Sequence, residues 1–226
     1  MIDSDETIER LRREPQTEFT LKRALQEMGI NVPRGVLLKE PPESINIPFP
    51  VALKVSDENV LHKTELGGVK IGIESAGVLR NEINKMKEKF PDSSFLVEEM
   101  IQGGIEIIVG LSRNPVFGLS IMLGMGGTMT EMYNDVTFRL IPVIAQDCSD
   151  MIDEVSVGRF TGNGFRGKFI DRKILIEFLL KISELGSKGT DFIDQLDLNP
   201  VKIDGDKLFV LDAKIIKYIM DSGGNE

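Results

Sequence analysis

The most informative stretch of the chain lies near its end, at residues 196–215, LDLNPVKIDGDKLFVLDAKI. Two apolar runs flank an Asp-Gly pair, which is typical of two strands joined by a turn. Asp197 and Asn199 are two residues apart, so their side chains lie on one face of the first strand. Asp212 falls on the same face of the returning strand, opposite Asn199 or Asp197 according to the register. Such oxygen ligands suit Mg²⁺, and the stretch therefore predicts a metal site at Asp197, Asn199 and Asp212.

The composition is that of an acidic chain without a signature of nucleic-acid or membrane binding. Its 226 residues include 27 Lys and Arg against 36 Asp and Glu, which excludes broad binding to phosphate backbones, because that requires clustered basic residues. The single cysteine, Cys148, can form no disulfide within the chain and favours a reducing compartment. No apolar run approaches the ~18–20 residues of a membrane span, and the polar N-terminus does not resemble a signal peptide. We therefore expect a cytoplasmic protein.

Helix and strand patterns alternate along the chain and predict an α+β fold of two lobes. Residues 1–15 are charged and end at a proline, so we expect a polar N-terminal arm or a loosely attached helix. Residues 16–97 hold helical patterns and short strands, and are assigned to a small lobe. Residues 98–226 hold longer strands and two further helices, near 149–157 and 172–186, and are assigned to a C-terminal lobe.

The only histidine of the chain, His62, lies in a polar loop between two apolar runs, VLHKTELGGVKIG at residues 60–72. A lone loop histidine is most often an exposed residue without a role, so the residue type alone assigns it none. Gly67 and Gly68 give main-chain amides the freedom to approach an anion closely. The loop has neither the Walker A spacing nor a GxGxxG pattern, and a simple hairpin turn explains the glycine pair equally well.

Charged residues inside apolar strands indicate a ligand cleft. Lys54, within PVALKV, requires an anionic partner, because an unpaired ammonium group in such a strand is costly. A structural salt bridge and a ligand phosphate would both provide one. Glu98 and Glu99 end the strand SFLVEEM, and Glu106 lies inside the next strand. This spacing suits a hinge that binds a nucleotide base and ribose, and solvated strand ends are the alternative.

A glycine cluster followed by a charged strand occupies residues 124–142, GMGGTMTEMYNDVTFRLIP. The glycines permit a close approach of the backbone to a ligand. Arg139, in an apolar strand, requires a carboxylate or a phosphate as its partner. Together with Glu131 and Asp135, it favours a place in a ligand site over a purely structural role.

Five motifs, taken in order, resemble a known family. They are PVALKV, LHKTELGGVKIG, LVEEMIQGGIEIIVG, GMGGTMTEMYNDVTFRLIP and the pair LDLNPV and LDAKI, spread from Thr17 to Ile216. The chain resembles the ATP-grasp domain of NDP-forming acyl-CoA synthetases, in particular the separate beta subunit of archaeal ADP-forming acetate–CoA ligases. The resemblance implies an ATP-grasp fold with the nucleotide between two α+β lobes. The helix that relatives usually carry before PVALKV has no counterpart, because KEPPESINIPFP is short and rich in proline.

The resemblance also implies which residues bind ATP or ADP and Mg²⁺. Lys54 would contact the phosphates, under a loop that contains Gly67 and Gly68. Glu99 would lie beside the adenine, and Glu106 would bind the ribose. The other residues assigned to the nucleotide are Glu98, Glu131 and Arg139, and the assigned metal ligands are Asp197, Asn199 and Asp212.

For His62, the resemblance implies a phosphoryl relay between a histidine of a partner subunit and ADP. The chain would then act in a heteromer of the α2β2 type with a CoA-binding alpha subunit. Together they would convert acyl-CoA, ADP and phosphate reversibly into acid, CoA and ATP. Two alternatives stay open: an ATP-grasp ligase that phosphorylates a carboxylate directly, without a histidine relay, and a nucleotide-binding regulatory module.

Overall fold

The computed structural model describes residues 4–60, 62–127 and 135–218, and these residues form two antiparallel sheets. The strands of the small sheet are β1 (Gly35–Leu38), β2 (Val51–Ser56), β3 (Val69–Ile73) and β4 (Ser94–Glu99). The strands of the large sheet are β5 (Ile105–Asn114), β6 (Gly118–Met125), β7 (Val136–Leu140), β8 (Ile193–Asp204), β9 (Lys207–Val210) and β10 (Ala213–Lys217). The spatial order is β1-β4-β2-β3 in the small sheet and β10-β8-β5-β6-β7 in the large one, where β9 also pairs with β8.

Helices pack against both sheets. They are α1 (Ser4–Arg13), α2 (Glu18–Glu27), α3 (Ala76–Lys89), α4 (Ala145–Glu154) and α5 (Arg172–Lys188), with a 3₁₀ helix at Ser156–Phe160. The helices expected near 149–157 and 172–186 correspond to α4 and α5, and α4 begins earlier than predicted. Within the described ranges, none of the helices combines the length and the apolar character that crossing a membrane would require.

Local sequence signals set both ends of α2. The Thr17 hydroxyl accepts a hydrogen bond from the Thr20 amide at 3.2 Å, which caps the first turn of the helix. Gly29 adopts a φ of +72°, which glycine tolerates without strain, and the helix ends there. A threonine before the helix and a glycine after it are residue types that favour helix ends.

Of the two expected alternatives, the N-terminal segment is the helix and not the polar arm, and this helix is packed into a core. It forms α1, whose Ile8 and Leu11 are buried in the same core as Leu21 and Leu25 of α2. That core also contains the buried face of the large sheet. Both helices therefore belong to the C-terminal lobe, and the assignment of α2 to the small lobe is corrected. Apolar periodicity reports that a helix face is buried, but it does not report which neighbour covers that face.

The small lobe has a separate core beneath α3. Leu79 and Ile83 of α3 are buried in one cluster with Leu53 of β2. The chain leaves this lobe after Glu99 and enters the large sheet at Ile105. The two-lobed α+β fold is the one that the sequence predicts.

The returning strand at the end of the chain is divided in two, where a single strand was predicted. β9 pairs with the last part of β8, and β10 pairs with its first part. Between the two strands, the Leu211 amide donates a hydrogen bond to the Pro200 carbonyl oxygen at 3.0 Å. Asp212 lies at this break, between the end of β9 and the start of β10.

Candidate active site

Two cavities lie where the lobes meet, and both have Asp212 in their walls. The smaller has a volume of about 320 Å³ and the larger a volume of about 690 Å³. The predicted residues that line the smaller cavity are Lys54, Glu98, Glu99 and Glu106. Those that line the larger cavity are His62, Asp197 and Asn199. Residues from distant parts of the sequence therefore meet in one cleft.

The three predicted metal ligands lie on one wall of the larger cavity. The register of β8 and β10 pairs Asp197 with Lys214. Continuing this antiparallel register places Asp212 opposite Asn199, which is one of the two arrangements that the sequence allows. The Asp212 carboxylate accepts hydrogen bonds at Oδ1 from the Ala213 amide at 2.9 Å and from another side chain described below.

The donor set fits a hard cation such as Mg²⁺. Asp197 and Asp212 supply carboxylate oxygens and Asn199 an amide oxygen, which are the ligand types that Mg²⁺ prefers. Partial burial, together with the negative charge of Asp212, raises the pKa of Asp197 above its ordinary value of 3.8. A cation between these carboxylates would relieve their repulsion. No three His, Cys, Asp or Glu side chains in the described ranges form a metal-binding group, so a site here depends on the Asn199 amide as well.

Cation binding at Asp197 is expected to weaken as the pH falls. Above its raised pKa the side chain is a carboxylate that attracts a cation, and below that pKa a proton neutralises it. The affinity for Mn²⁺, measured by isothermal titration calorimetry, should therefore decrease by up to about tenfold per pH unit below this pKa. Asp197→Asn should remove this component of the pH dependence. An unchanged pH profile in the variant would contradict the assignment.

Three lysines converge on a buried glutamate between the two cavities. The carboxylate of Glu18, on α2, contacts Nζ of Lys22 at 2.7 Å, Nζ of Lys54 at 2.6 Å and Nζ of Lys63. Glu98, on β4, contacts Lys22 at 2.7 Å and Lys54 at 3.1 Å. Burial lowers the pKa of Lys54, but the two carboxylates outweigh burial and hold this pKa above its ordinary value. Lys54 is therefore a charged group inside the protein.

The anionic partners of Lys54 come from within the chain. Beside the two carboxylates, its Nζ donates a hydrogen bond to the Leu211 carbonyl oxygen at 2.5 Å. The structure thus contains the salt bridge that the sequence leaves as one of two alternatives. Lys54 also lines the smaller cavity, so its contact with a ligand phosphate stays a prediction.

The adjacent glutamates at the end of β4 have different surroundings. Glu98 is buried, and both of its carboxylate oxygens accept hydrogen bonds from Lys22. It acts as a counter-ion in this structure, although the sequence assigns it to a ligand. Glu99 accepts a hydrogen bond from the Arg34 amide at 2.9 Å, which holds it at the crossing between the lobes.

The smaller cavity combines one accessible carboxylate with apolar walls. Glu106 is partly exposed and lies 3.7 Å from Nζ of Lys202. Its apolar neighbours in the cavity wall are Ala52, Val69, Ile71, Met100, Ile101 and Leu211. Apolar walls with a few polar groups are typical of sites for small ring-containing ligands.

The glycine pair of the histidine loop is engaged in internal hydrogen bonds. The Gly67 amide donates to the Thr64 carbonyl oxygen at 3.0 Å, and the Gly68 amide donates to the Lys63 carbonyl oxygen at 2.6 Å. Gly67 has a φ of +71°, and a Cβ on Gly68 would lie 3.0 Å from the Lys63 carbonyl oxygen. The turn itself requires glycine at these positions. The predicted contact of their amides with an anion would need these hydrogen bonds to open.

His62 is exposed on this loop and lines the larger cavity. The next residue, Lys63, anchors the loop, because its Nζ contacts Glu18 of α2 and Asp212 Oδ1, the latter at 2.7 Å. These ion pairs join the histidine loop of the small lobe to the C-terminal lobe beside the predicted metal ligands.

Comparison with known proteins agrees with this geometry. A family model described as an ATP-grasp domain matches residues 7–216. The chain is also 33% identical over 217 residues to the beta subunit of ADP-forming acetate–CoA ligase II of Pyrococcus furiosus, which covers 90% of this chain and 92% of that protein. The chain belongs to the ATP-grasp family. Within it, the chain groups with the beta subunits of ADP-forming acetate–CoA ligases.

Two further relatives match most of this chain. The ADP-forming acetate–CoA ligase I of Archaeoglobus fulgidus is 36% identical over 179 residues, which are 76% of this chain but 26% of that protein. A solved structure of the dinucleotide forming acetyl-coenzyme A synthetase 1 of Ca. Korarchaeum cryptofilum has a TM-score of 0.75 and 34% identity, over 90% of this chain and 93% of that chain. It is in complex with coenzyme A and Mg-AMPPCP, with its phosphohistidine segment pointing towards the nucleotide binding site. The predicted fold and family are confirmed.

Among the described residues that the sequence assigns to the ATP-grasp site, Arg139 and the glycine pair of the histidine loop do not line its two cavities. Arg139, on β7, is paired with Glu154 of α4 and donates to the Thr137 hydroxyl at 3.2 Å. The carboxylate that Arg139 requires is therefore supplied by Glu154 of the same chain. The assignment of Arg139 to the nucleotide is corrected. Glu131 lies outside the described residues.

The ATP-grasp cleft also contains two charged residues that sequence reasoning missed. Glu18 and Lys22 are buried on the face of α2 that carries Leu21 and Leu25. A signal was present, since charged residues four positions apart on the apolar face of a helix are unusual and require partners. Glu18 pairs with Lys54, which lies more than thirty residues away in the sequence. The sequence alone therefore does not show that the two residues meet.

Proposed function

We propose that this ATP-grasp chain is the nucleotide-binding subunit of an ADP-forming acyl-CoA synthetase, in which His62 passes a phosphoryl group to ADP or accepts one from ATP. The observation that carries the proposal is the position of His62 in the wall of the same cavity as Asp197, Asn199 and Asp212. A candidate phosphoryl carrier and a set of Mg²⁺-type ligands thus meet in one cleft. A relative that matches 90% of this chain is an acetate–CoA ligase subunit.

The smaller cavity is proposed to bind the base and the ribose. Its apolar wall suits an adenine ring, with Glu99 at the edge, and Glu106 would accept hydrogen bonds from ribose hydroxyls. The phosphates would then lie near Asp212, which both cavities share. Lys54 would contact them by replacing one of its internal partners.

Asp197, Asn199 and Asp212 are proposed to hold Mg²⁺ beside the phosphates. Bound there, Mg²⁺ neutralises phosphate charge, which is a main requirement of phosphoryl transfer. The loop with Gly67 and Gly68 would cover the phosphates, and the contact of Lys63 with Glu18 would hold this loop to the C-terminal lobe.

His62 is proposed to carry the phosphoryl group covalently. A neutral imidazole nitrogen attacks phosphorus, and an N–P bond forms as the bond from phosphorus to the donor breaks. In the direction of ATP synthesis, a terminal oxygen of ADP attacks this phosphorus, the O–P bond of ATP forms, and the electron pair of the N–P bond returns to the ring. An exposed loop suits this role, because the ring must reach a donor outside the chain and then the nucleotide.

The donor is proposed to lie on a CoA-binding alpha subunit in an α2β2 heteromer. The Pyrococcus furiosus relative is a beta subunit, and the Archaeoglobus fulgidus relative contains the matching region within a longer chain. In the korarchaeal structure, a phosphohistidine segment points towards the nucleotide binding site. An equivalent segment of a partner would supply the phosphoryl group to His62.

The full chain alone is expected to bind Mg-ADP but to form no ATP from acyl-CoA, ADP and phosphate. The reason is that the proposed donor histidine and CoA site belong to a partner. Adding the co-purifying CoA-binding subunit should start ATP formation, measured by a coupled luminescence assay. ATP formation by the chain alone would contradict the assignment of the donor histidine and the CoA site to a partner. A chain that binds no Mg-ADP would contradict the proposed function itself.

A further inference from the structure

Two of the three lysines at Glu18 have no hydrogen-bond donor left. Nζ of Lys22 contacts Glu18, Glu98 and the Leu211 carbonyl oxygen, each at 2.7 Å. Nζ of Lys54 contacts the same three groups at 2.6, 3.1 and 2.5 Å. An ammonium group has three N–H donors, so both lysines are saturated. Either could take a new anion only by giving up a partner, which is the Leu211 carbonyl oxygen or a buried carboxylate, and loss of a carboxylate partner is strongly unfavourable.

Lys63 differs from these two lysines. Its Nζ contacts Glu18 and Asp212 and has no third partner in the part of the chain that the structure describes. Its side chain is 15% exposed, against 9% for Lys54. It lines the larger cavity beside His62 and Asn199. Lys63 can therefore meet an anion in this cavity without losing a buried ion pair.

The charges of this cluster balance only while Asp212 is part of it. The ammonium groups of three lysines face three carboxylates. The lysines are Lys22, Lys54 and Lys63, and the carboxylates are those of Glu18, Glu98 and Asp212. Once Asp212 is engaged by a divalent cation, the remaining groups carry one excess positive charge, and Lys63 is the group that has lost a partner. A phosphate oxygen is the partner that suits it.

We propose that Lys63 is a phosphate-binding residue of this site, which exchanges Asp212 for a phosphate oxygen when a divalent cation and a nucleotide bind. The proposal rests on the proposed function, because it takes the larger cavity to hold nucleotide phosphates. Glu18 keeps the Lys63 ammonium in place during the exchange, since it is buried and contacts Lys63 independently of Asp212. Because His62 precedes Lys63 in the chain, the exchange also sets the position of the histidine loop.

The test compares cation binding with nucleotide binding in Lys63→Met. Methionine removes the charge and keeps a long side chain, and Lys85→Met is the matched control, because Lys85 is an exposed residue of α3 paired with Glu82. On the full chain, Mn²⁺ binding is measured by electron paramagnetic resonance and Mg-ADP binding by calorimetry. We expect Mg-ADP to bind about tenfold more weakly to Lys63→Met, which is the effect of losing one charge-assisted hydrogen bond. Mn²⁺ alone should bind more tightly, because Asp212 no longer pairs with an ammonium group.

Opposite changes in the two affinities identify the exchange, because a purely structural loss would weaken both. Weaker binding of both probes, or affinities equal to those of Lys85→Met, would overturn the inference. Lys63→Arg keeps the charge and should retain most of the Mg-ADP affinity. If Lys63→Met melts at a lower temperature, the Mg-ADP affinity of Lys63→Arg tests the inference instead. A wild-type chain that binds no Mg-ADP would refute the proposed function as well, whereas wild-type binding that Lys63→Met leaves intact would refute this inference alone.

Discussion

His62→Ala should abolish ATP formation by the complete enzyme, because no other imidazole is present in the chain to carry the phosphoryl group. Nucleotide affinity should stay within about twofold of wild type, since the base, ribose and phosphates are assigned to other residues. The ring is exposed in the wall of the larger cavity, so its loss removes no buried contact. Turnover is measured with the partner subunit present, and nucleotide affinity is measured on this chain by calorimetry.

The matched control for this variant is Thr64→Ala, an exposed position of the same loop and the same cavity. It should keep turnover close to wild type. Incubation with γ-labelled ATP gives a second measurement, because wild type should become labelled on this chain and His62→Ala should not. Wild-type turnover in His62→Ala would show that His62 is a bystander and would favour an ATP-grasp ligase that acts directly on a carboxylate.

Asp212→Asn should weaken Mg²⁺-dependent nucleotide binding by about a hundredfold, because it removes one of only two carboxylate charges from the proposed metal site. Asparagine keeps the size of the side chain and an oxygen ligand, so the variant tests the charge. Asp212 is the one predicted metal ligand that lines both cavities, where the proposed contacts to the base and to the phosphates would meet. The measurement is Mg-ADP affinity by calorimetry, repeated with EDTA.

The measurement with EDTA distinguishes the effect of losing the metal from the effect of losing the ion pair that Asp212 makes with Lys63. Loss of that pair frees Lys63 for phosphate, so metal-free ADP should bind as well as to wild type or more tightly. Asp206→Asn, in an exposed turn after β8, is the control and should change neither affinity. Should Asp212→Asn bind Mg-ADP with wild-type affinity, the cation is held elsewhere.

Much of this fold follows from local sequence signals. Thr17 and Gly29 bound α2, and the residues Asn114 and Pro115 lie where β5 ends before β6, so residue types that favour caps and turns occur where these elements end. These elements could be predicted because each depends on residues that are close together in the chain. The order of the five motifs extends this from elements to a family, which the match over residues 7–216 confirms.

Local signals also led to wrong assignments where a partner had to be chosen. Arg139 required a carboxylate or a phosphate, and the structure provides Glu154 from the next helix. α1 and α2 have apolar faces, but the sequence could not show that the large sheet covers both. Any partner of the right chemistry satisfies such a requirement, so sequence alone leaves the choice open.

The candidate site shows the same division between sequence and structure. The spacing of Asp197 and Asn199 by itself places both side chains on one strand face, because the side-chain period of a strand is two residues. That Asp212 and Asn199 line the same cavity, and that Glu18 contacts Lys54 and Lys63 from other segments, are consequences of strand register and helix packing. Both depend on contacts between residues far apart in the chain, whose geometry is fixed only when the two lobes fold against each other.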